Sequence, residues 1–187
     1  MPRSDAAALT RFGLLAAALT VAADQASKLY LLFVYDLAAR GRVPVLPFMD
    51  FVLTRNTGIS YGLFQQDGPL GQWVLLALKA VAVILLALWL MRASTRATAL
   101  ALGLIIGGAI GNAIDRLAYG WVADFVLFHI ETVTWRFHWY VFNLADVAIV
   151  AGLLGCCMSP CSRAMPQKRP DRADYTARRA PPSSVSR

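Results

Sequence analysis

The chain has 187 residues, enough for one domain, and 58% of them are hydrophobic while only 16% are charged. A soluble domain is nearer half apolar and about a quarter charged, so this composition argues for an integral membrane protein. The net charge of +7 does not mark a nucleic-acid partner, because seven of the eighteen basic residues follow Ser162 in a polar tail, where the positive-inside rule expects them.

In chain order, residues 1–11 carry Arg3 and Arg11. Residues 12–35 are mainly apolar, interrupted by Asp24, Gln25 and Lys28. They are long enough to cross a bilayer, which takes roughly 20 residues, whereas the apolar core of a signal peptide is shorter. Residues 36–68 hold Pro44 and Pro47 and alternate around Phe51 and Leu53, which predicts a small β-containing piece outside the membrane. Residues 70–91 form the second expected span. Lys79 lies inside it, its long side chain snorkelling or facing a neighbouring helix. Residues 97–117 are the third span. A polar–aromatic connector follows over 120–139, with Trp121, Trp135 and Trp139 suited to an interfacial belt. Residues 140–159 are the fourth span, and 162–187 form a Pro/Arg/Ser-rich tail of disordered composition.

The expected fold class is therefore mainly α and integral to the membrane, with four transmembrane helices, a small β-containing extramembrane domain and an outer connector. Residues 1–161 make up the membrane unit and 162–187 the tail. The N-terminal end, the loop with Arg92 and Arg96, and the tail are basic, while the other two loops are neutral or slightly acidic. Four spans with both termini in the cytoplasm satisfy that distribution. Cys156, Cys157 and Cys161 cluster near the end of the last span without a metal-ligand spacing, so a zinc site is not expected.

This topology gathers the polar residues at one depth. The third span runs outward and carries Asn112, Asp115 and Arg116 near its outer end, at spacings that share one helix face. The fourth starts outside with Asn143 and Asp146 in its first two turns. Asp24 and Lys28 sit four apart in the outer half of the first span, and Asp124 follows the third. Ionisable groups at membrane depth are costly and by default mark function. Asp24 with Lys28 reads first as an intrahelical pair, and Asp115 with Arg116 as a buried pair holding helix ends. Asn112 and Asn143 either bridge helices or hold substrate backbone. Asp124 and Asp146 have no basic neighbour in sequence. Two such carboxylates brought together resist double ionisation, leaving an acid and a base that can activate water without metal or cofactor. His129 and His138 read as interfacial, and Ser27 and Ser60 lack a nearby base. Gly103, Gly107 and Gly111 form a small-residue stripe that lets helices approach. Two other classes compete with a peptidase. One is a small transporter or channel component with a buried charge path; the other is a metal-dependent lipid phosphotransferase.

The ordered set DQASK (24–28), RNTGISYG (55–62), GGAIGNAIDR (107–116), VADF (122–125) and FNLAD (142–146) resembles the lipoprotein signal peptidases, or signal peptidase II family. The resemblance implies a bacterial inner-membrane aspartic endopeptidase with its active site toward the periplasmic side. Its substrates would be diacylglyceryl-modified prolipoproteins, cut just before the lipidated cysteine, and peptides of the globomycin type would inhibit it. It implies a catalytic pair at Asp124 and Asp146. Asn56, Asn112, Arg116 and Asn143 would line the substrate pocket, with Asp24, Lys28 and Asp115 in support. No cofactor, metal or nucleic acid is expected, the partners being prolipoprotein and membrane lipid, and the protein is expected to be a monomer. Where the family commonly has a second valine beside the aspartate, this chain has Ala123.

Overall fold

The computed structural model describes residues 3–58, 69–132 and 134–158. The tail, Cys161, Ser60 and the end of the RNTGISYG segment lie outside the described residues. The protein is mainly helical with a small antiparallel sheet. Helix α1 spans Arg3–Leu29 and widens into a π turn over Tyr30–Val34. It stops at Asp36, which adopts a left-handed backbone (φ 52°) and caps the one-turn helix α2, Leu37–Arg40, by accepting from Ala39 N. Strands β1 (Val43–Leu46) and β2 (Met49–Asn56) follow. Helix α3 is Pro69–Leu90 and α4 is Arg96–Tyr119. Strands β3 (Val122–Glu131) and β4 (Arg136–His138) then lead to α5, Leu144–Met158.

By length and composition α1 and α4 can each cross a membrane, while the apolar parts of α3 and α5 are shorter. The two long helices are used differently. The apolar window of α4 is 56% buried and that of α1 only 11%. α4 is the central helix, with α1, α3 and α5 around it. Leu15, Leu19, Leu78, Leu85 and Leu154 on the outer helices stay exposed, as expected where the surrounding medium is apolar. Thr95 caps α4 by accepting from Thr98 N, and Gly120 ends it in the left-handed conformation with its N–H on Arg116 O.

The α1–α4 contact is close because α4 presents glycine there. A Cβ added at Gly107 would lie 2.6 Å from Ala17 O and 2.7 Å from Thr20 Cβ, atoms that can move only if the helices part. Gly107→Ala is therefore expected to cost ~1–3 kcal/mol, the usual range for overpacking. Thermal unfolding in detergent checks this, and an unchanged melting temperature would contradict it.

The connector expected over 120–139 is instead half of a four-stranded sheet of order β1-β2-β3-β4, all neighbours antiparallel. Its aromatic and β-branched residues disguised a strand as an interfacial belt. Residues Val122–Phe125 are buried without alternation, since both sides of the sheet are covered there. The sheet sits on the C-terminal end of α1 and the turn that follows it: Leu31, Leu37 and Phe125 form its core, with Phe51 and Leu53 against them. The fourth helix starts later than the expected residue 140, because Phe142 is spent pairing with Val126: Phe142 N donates to Val126 O at 3.0 Å and Val126 N returns a bond at 2.8 Å.

Candidate active site

Asn56, Asn112, Asp124, Asn143 and Asp146 come together in one hydrogen-bonded group where the sheet meets α4 and α5. Asp124 comes from β3, opposite Thr54, next to an irregularity in the β2–β3 register. Its Oδ2 accepts from Asn56 Nδ2 at 3.0 Å and its Oδ1 from Asn143 Nδ2 at 2.6 Å. Asn56 also receives Gly58 N on its carbonyl, which orients its amide. Burial pushes the Asp124 carboxyl up to about 6, and the charge of Asp146 adds to this. The amides of Asn56 and Asn143 and the charge of Lys28 act in the opposite direction.

Asp146 lies in the first turn of α5. It forms a reciprocal cap with Asn143: Asp146 N donates to Asn143 Oδ1 at 3.1 Å and Asn143 N to Asp146 Oδ2 at 3.2 Å. The other oxygen, Oδ1, accepts from Asn112 Nδ2 at 2.9 Å. Asn143 Nδ2 in turn bonds Asn112 Oδ1 at 3.1 Å. Two side-chain amides thus bridge the two carboxylates. Asp124 is buried and Asp146 half-buried.

Below this pair lies a second polar cluster. The ammonium of Lys28, 2% exposed, is fully satisfied: Asp24 Oδ2 at 2.8 Å, Asp115 Oδ2 at 2.9 Å and Asn112 Oδ1 at 3.0 Å. Asp24 Oδ1 accepts from Ala145 N, one of the free donors at the start of α5. Asp115 Oδ2 accepts from Ala123 N, fixing the strand that carries Asp124. The expected Asp24–Lys28 pair is present, but Asp115 does not pair with Arg116. Adjacent helix residues point in different directions, so Asp115 turns to Lys28 while Arg116 reaches Thr57 O at 3.3 Å and Gly58 O at 2.6 Å. Arg116 Nε is buried with no partner among the described residues.

Gln25 was missed as a site residue. Its Nε2 reaches Asp115 Oδ1 at 2.9 Å, and Asp24 Oδ2 and Gly111 O at 3.1 Å each, tying α1 to α4. Its place between Asp24 and Lys28 in an apolar run was the available signal. His129 and His138 stack on each other and face Asp50 and Glu131 respectively, on the sheet. Burial would raise the Asp50 carboxyl, but bonds from Arg42 and His129 outweigh it and hold it below its ordinary range. These residues clamp the strands together. Ser27 Oγ donates to Asp24 O at 2.7 Å. Among the described residues no three His, Cys, Asp or Glu side chains are grouped so as to hold a metal.

A family model described as Signal peptidase (SPase) II matches residues 16–160. Over 160 residues the chain is 58% identical to a protein of Nitrobacter hamburgensis named lipoprotein signal peptidase, covering 86% of this chain and 98% of that one. A protein of the same name from Rhodopseudomonas palustris is 58% identical over 144 residues, 77% of this chain and 88% of its own length. The fold is similar, with a TM-score of 0.64 at 22% identity, to a solved structure described as a bacterial membrane enzyme, covering 85% of this chain and 93% of that one.

Proposed function

This chain belongs to the signal peptidase II family, and we propose that it removes the signal peptide from diacylglyceryl-modified prolipoproteins as an aspartic endopeptidase, cutting just before the lipidated cysteine. The observation that carries this is the pair Asp124 and Asp146, delivered by a strand and a helix and bridged through Asn143 and Asn112. One carboxylate takes a proton from water while the other, protonated, polarises the scissile carbonyl. The tetrahedral intermediate collapses as the leaving amine receives its proton. Asn56, Asn112, Asn143 and Arg116 bind substrate backbone, and the Nε of Arg116, without a partner among the described residues, is a donor in reserve for it. Asp24, Lys28 and Asp115 hold these groups in place. The signal helix enters sideways from the lipid, its acyl chains staying in the outer leaflet.

In this reading residues 1–161 are the membrane-embedded unit, crossing the bacterial inner membrane four times with both termini in the cytoplasm and the dyad on the periplasmic side. The protein acts as a monomer, and globomycin-type peptides compete for the same site. The transporter alternative finds no support among these relatives.

Purified protein should cut a lipidated prolipoprotein equally well with and without EDTA. Loss on chelation, with recovery on adding Mg²⁺ or Zn²⁺, would place it in a metal-dependent class instead. The pH dependence has a definite sign. Asp124 is raised to about 6, so the singly protonated pair persists below that pH and is lost above it. The alkaline limb of kcat/KM, which reports the free enzyme, should begin near pH 6 and belong to the pair. A flat profile from pH 5 to 8 would contradict the dyad.

A further inference from the structure

β3 runs on past Asp124 into a hairpin with β4. The extra residue at the β2–β3 irregularity belongs to β2, so β3 keeps its alternation. Asp124, Val126, Phe128 and Ile130 therefore share one face. That face is turned toward α5: Asp124 receives Asn143 Nδ2 there, and the Phe128 ring meets Phe142 at 5.3 Å. Thr132 closes the hairpin. Its N and Oγ1 donate to Trp135 O at 2.8 and 2.9 Å, and its Oγ1 accepts from Trp135 N at 3.0 Å. In the resulting register Ile130 stands opposite Phe137, and Trp139 N donates to Phe128 O at 2.7 Å.

The hairpin has two unlike faces. One carries Phe128, Ile130, Trp135, Phe137 and Trp139, all 37–55% exposed. Trp135 stacks on Phe137 at 5.5 Å and Phe137 meets Trp139 at 5.8 Å, so the rings form a fixed row. The other face carries His129, Glu131, Arg136 and His138. Its charges are tied to the rest of the sheet, His129 to Asp50 and Glu131 to Arg42. A contiguous apolar face of this kind marks an interaction surface.

Its surroundings identify what covers it. Past Trp139 and Phe142 the chain enters α5, where Leu144, Val147, Val150 and Leu154 are exposed along one helix side, the side read above as lying in lipid. The aromatic face continues that surface. Tryptophan joins a large apolar ring to one N–H, which suits the headgroup level better than the acyl core or water. We propose that the aromatic face of the β3–β4 hairpin lies in the outer interface of the bilayer and holds the strand that carries Asp124 at headgroup depth. Phe128 is roughly 13 Å along β3 from Asp124, at about 3.3 Å per residue, so the anchor and the carboxyl are joined by one short strand. This rests on the membrane reading above and not on the chemistry of the dyad.

The experiment reads tryptophan emission in phosphatidylcholine–phosphatidylglycerol vesicles whose acyl chains carry bromine either near the headgroup or near the bilayer centre. Single-tryptophan proteins keep Trp135 or Trp139, or gain one by Val150→Trp, with the other native tryptophans changed to Phe. Trp135 and Trp139 are expected to lose more emission to shallow bromine than to deep bromine, and little to iodide in the water. The Val150→Trp protein should be quenched by bromine and not by iodide. Quenching of Trp135 and Trp139 by iodide but by neither lipid would overturn the proposal. Emission unmoved by either lipid but shifted by a lipidated prolipoprotein would overturn it too, making the face a substrate dock. If the Val150→Trp protein is itself untouched by bromine, the membrane reading falls and the anchor with it. Cleavage does not enter these readings, so a failure of the dyad leaves them standing. The parent protein gives a second measurement without substitutions. A phospholipid with a photoactivated diazirine near its headgroup should label residues 128–139, and labelling of α5 alone would overturn the anchor.

Discussion

Asp124→Asn and Asp146→Asn will each cut turnover of a lipidated prolipoprotein by at least ~10²-fold, the lower range for acid–base groups. Asparagine keeps the shape of the side chain but cannot exchange the catalytic proton. At position 124 it also turns an amide toward one of two existing donors, Asn56 Nδ2 and Asn143 Nδ2. At 146 it meets the backbone N–H of Asn143 and the amide of Asn112 in the same way. Each variant is therefore expected to lose ~1–3 kcal/mol of stability, the cost of an unsatisfied buried donor. Turnover must accordingly be counted per folded molecule. Both variants should still bind a peptide inhibitor, because the asparagines, Arg116 and the lipid-facing surfaces remain. The double variant should be little worse than either single one, since groups that act as a unit are not additive. Near-parental turnover in either single variant would end the two-aspartate mechanism for this chain.

Lys28→Met is expected to lower stability by ~3–5 kcal/mol, the cost of stripping one partner from a buried ion cluster. Asp24 and Asp115 would be left without their shared cation, and Asn112 would lose the donor on its carbonyl. Asp115→Asn should also fold less well, because one of its oxygens holds both Lys28 and Ala123 N. Both should lose more folded yield than turnover per folded molecule. Thermal unfolding in detergent measures the first quantity and cleavage the second. A Lys28→Met protein as stable as the parent would show that the cluster contributes nothing to the fold. An Asp115→Asn protein that is fully stable but inactive would move Asp115 into the chemistry.

The site was more legible than the fold that carries it. Polar residues in apolar helices stand out, and spacings of three and four decide which share a face, so Asp24, Lys28, Asn112, Asn143 and Asp146 could be placed by arithmetic. The sheet was half hidden. β2 shows alternation, but the buried run Val122–Phe125 has none, and the aromatic residues after it suit a membrane interface as well as a strand. The start of α5 was misplaced for a related reason: Tyr140–Phe142 is apolar enough to be helix, and only its pairing with Val126 makes it extended. Asp115 and Arg116 were misjudged because proximity in sequence stood in for direction in space. Gln25 was overlooked because a neutral amide draws less suspicion than the charges on either side of it.

The spacing of Asp24 and Lys28 also bears on how the chain is made. Lys28 leaves the ribosome 84 residues before Asn112, and Gln25 leaves 90 residues before Asp115. At about 5–20 residues per second, α1 waits roughly 4–18 s for the helix that completes its cluster. During that interval Asp24 and Lys28 have only partners on their own helix. Placed one turn apart, they close into a pair along a single helix, so that α1 enters the membrane carrying a dipole rather than two bare ions. The same ammonium later turns its remaining donors to α4 without giving up its first partner. The pair that helps anchor the finished enzyme thus also lowers the cost of placing its first helix in lipid before the rest.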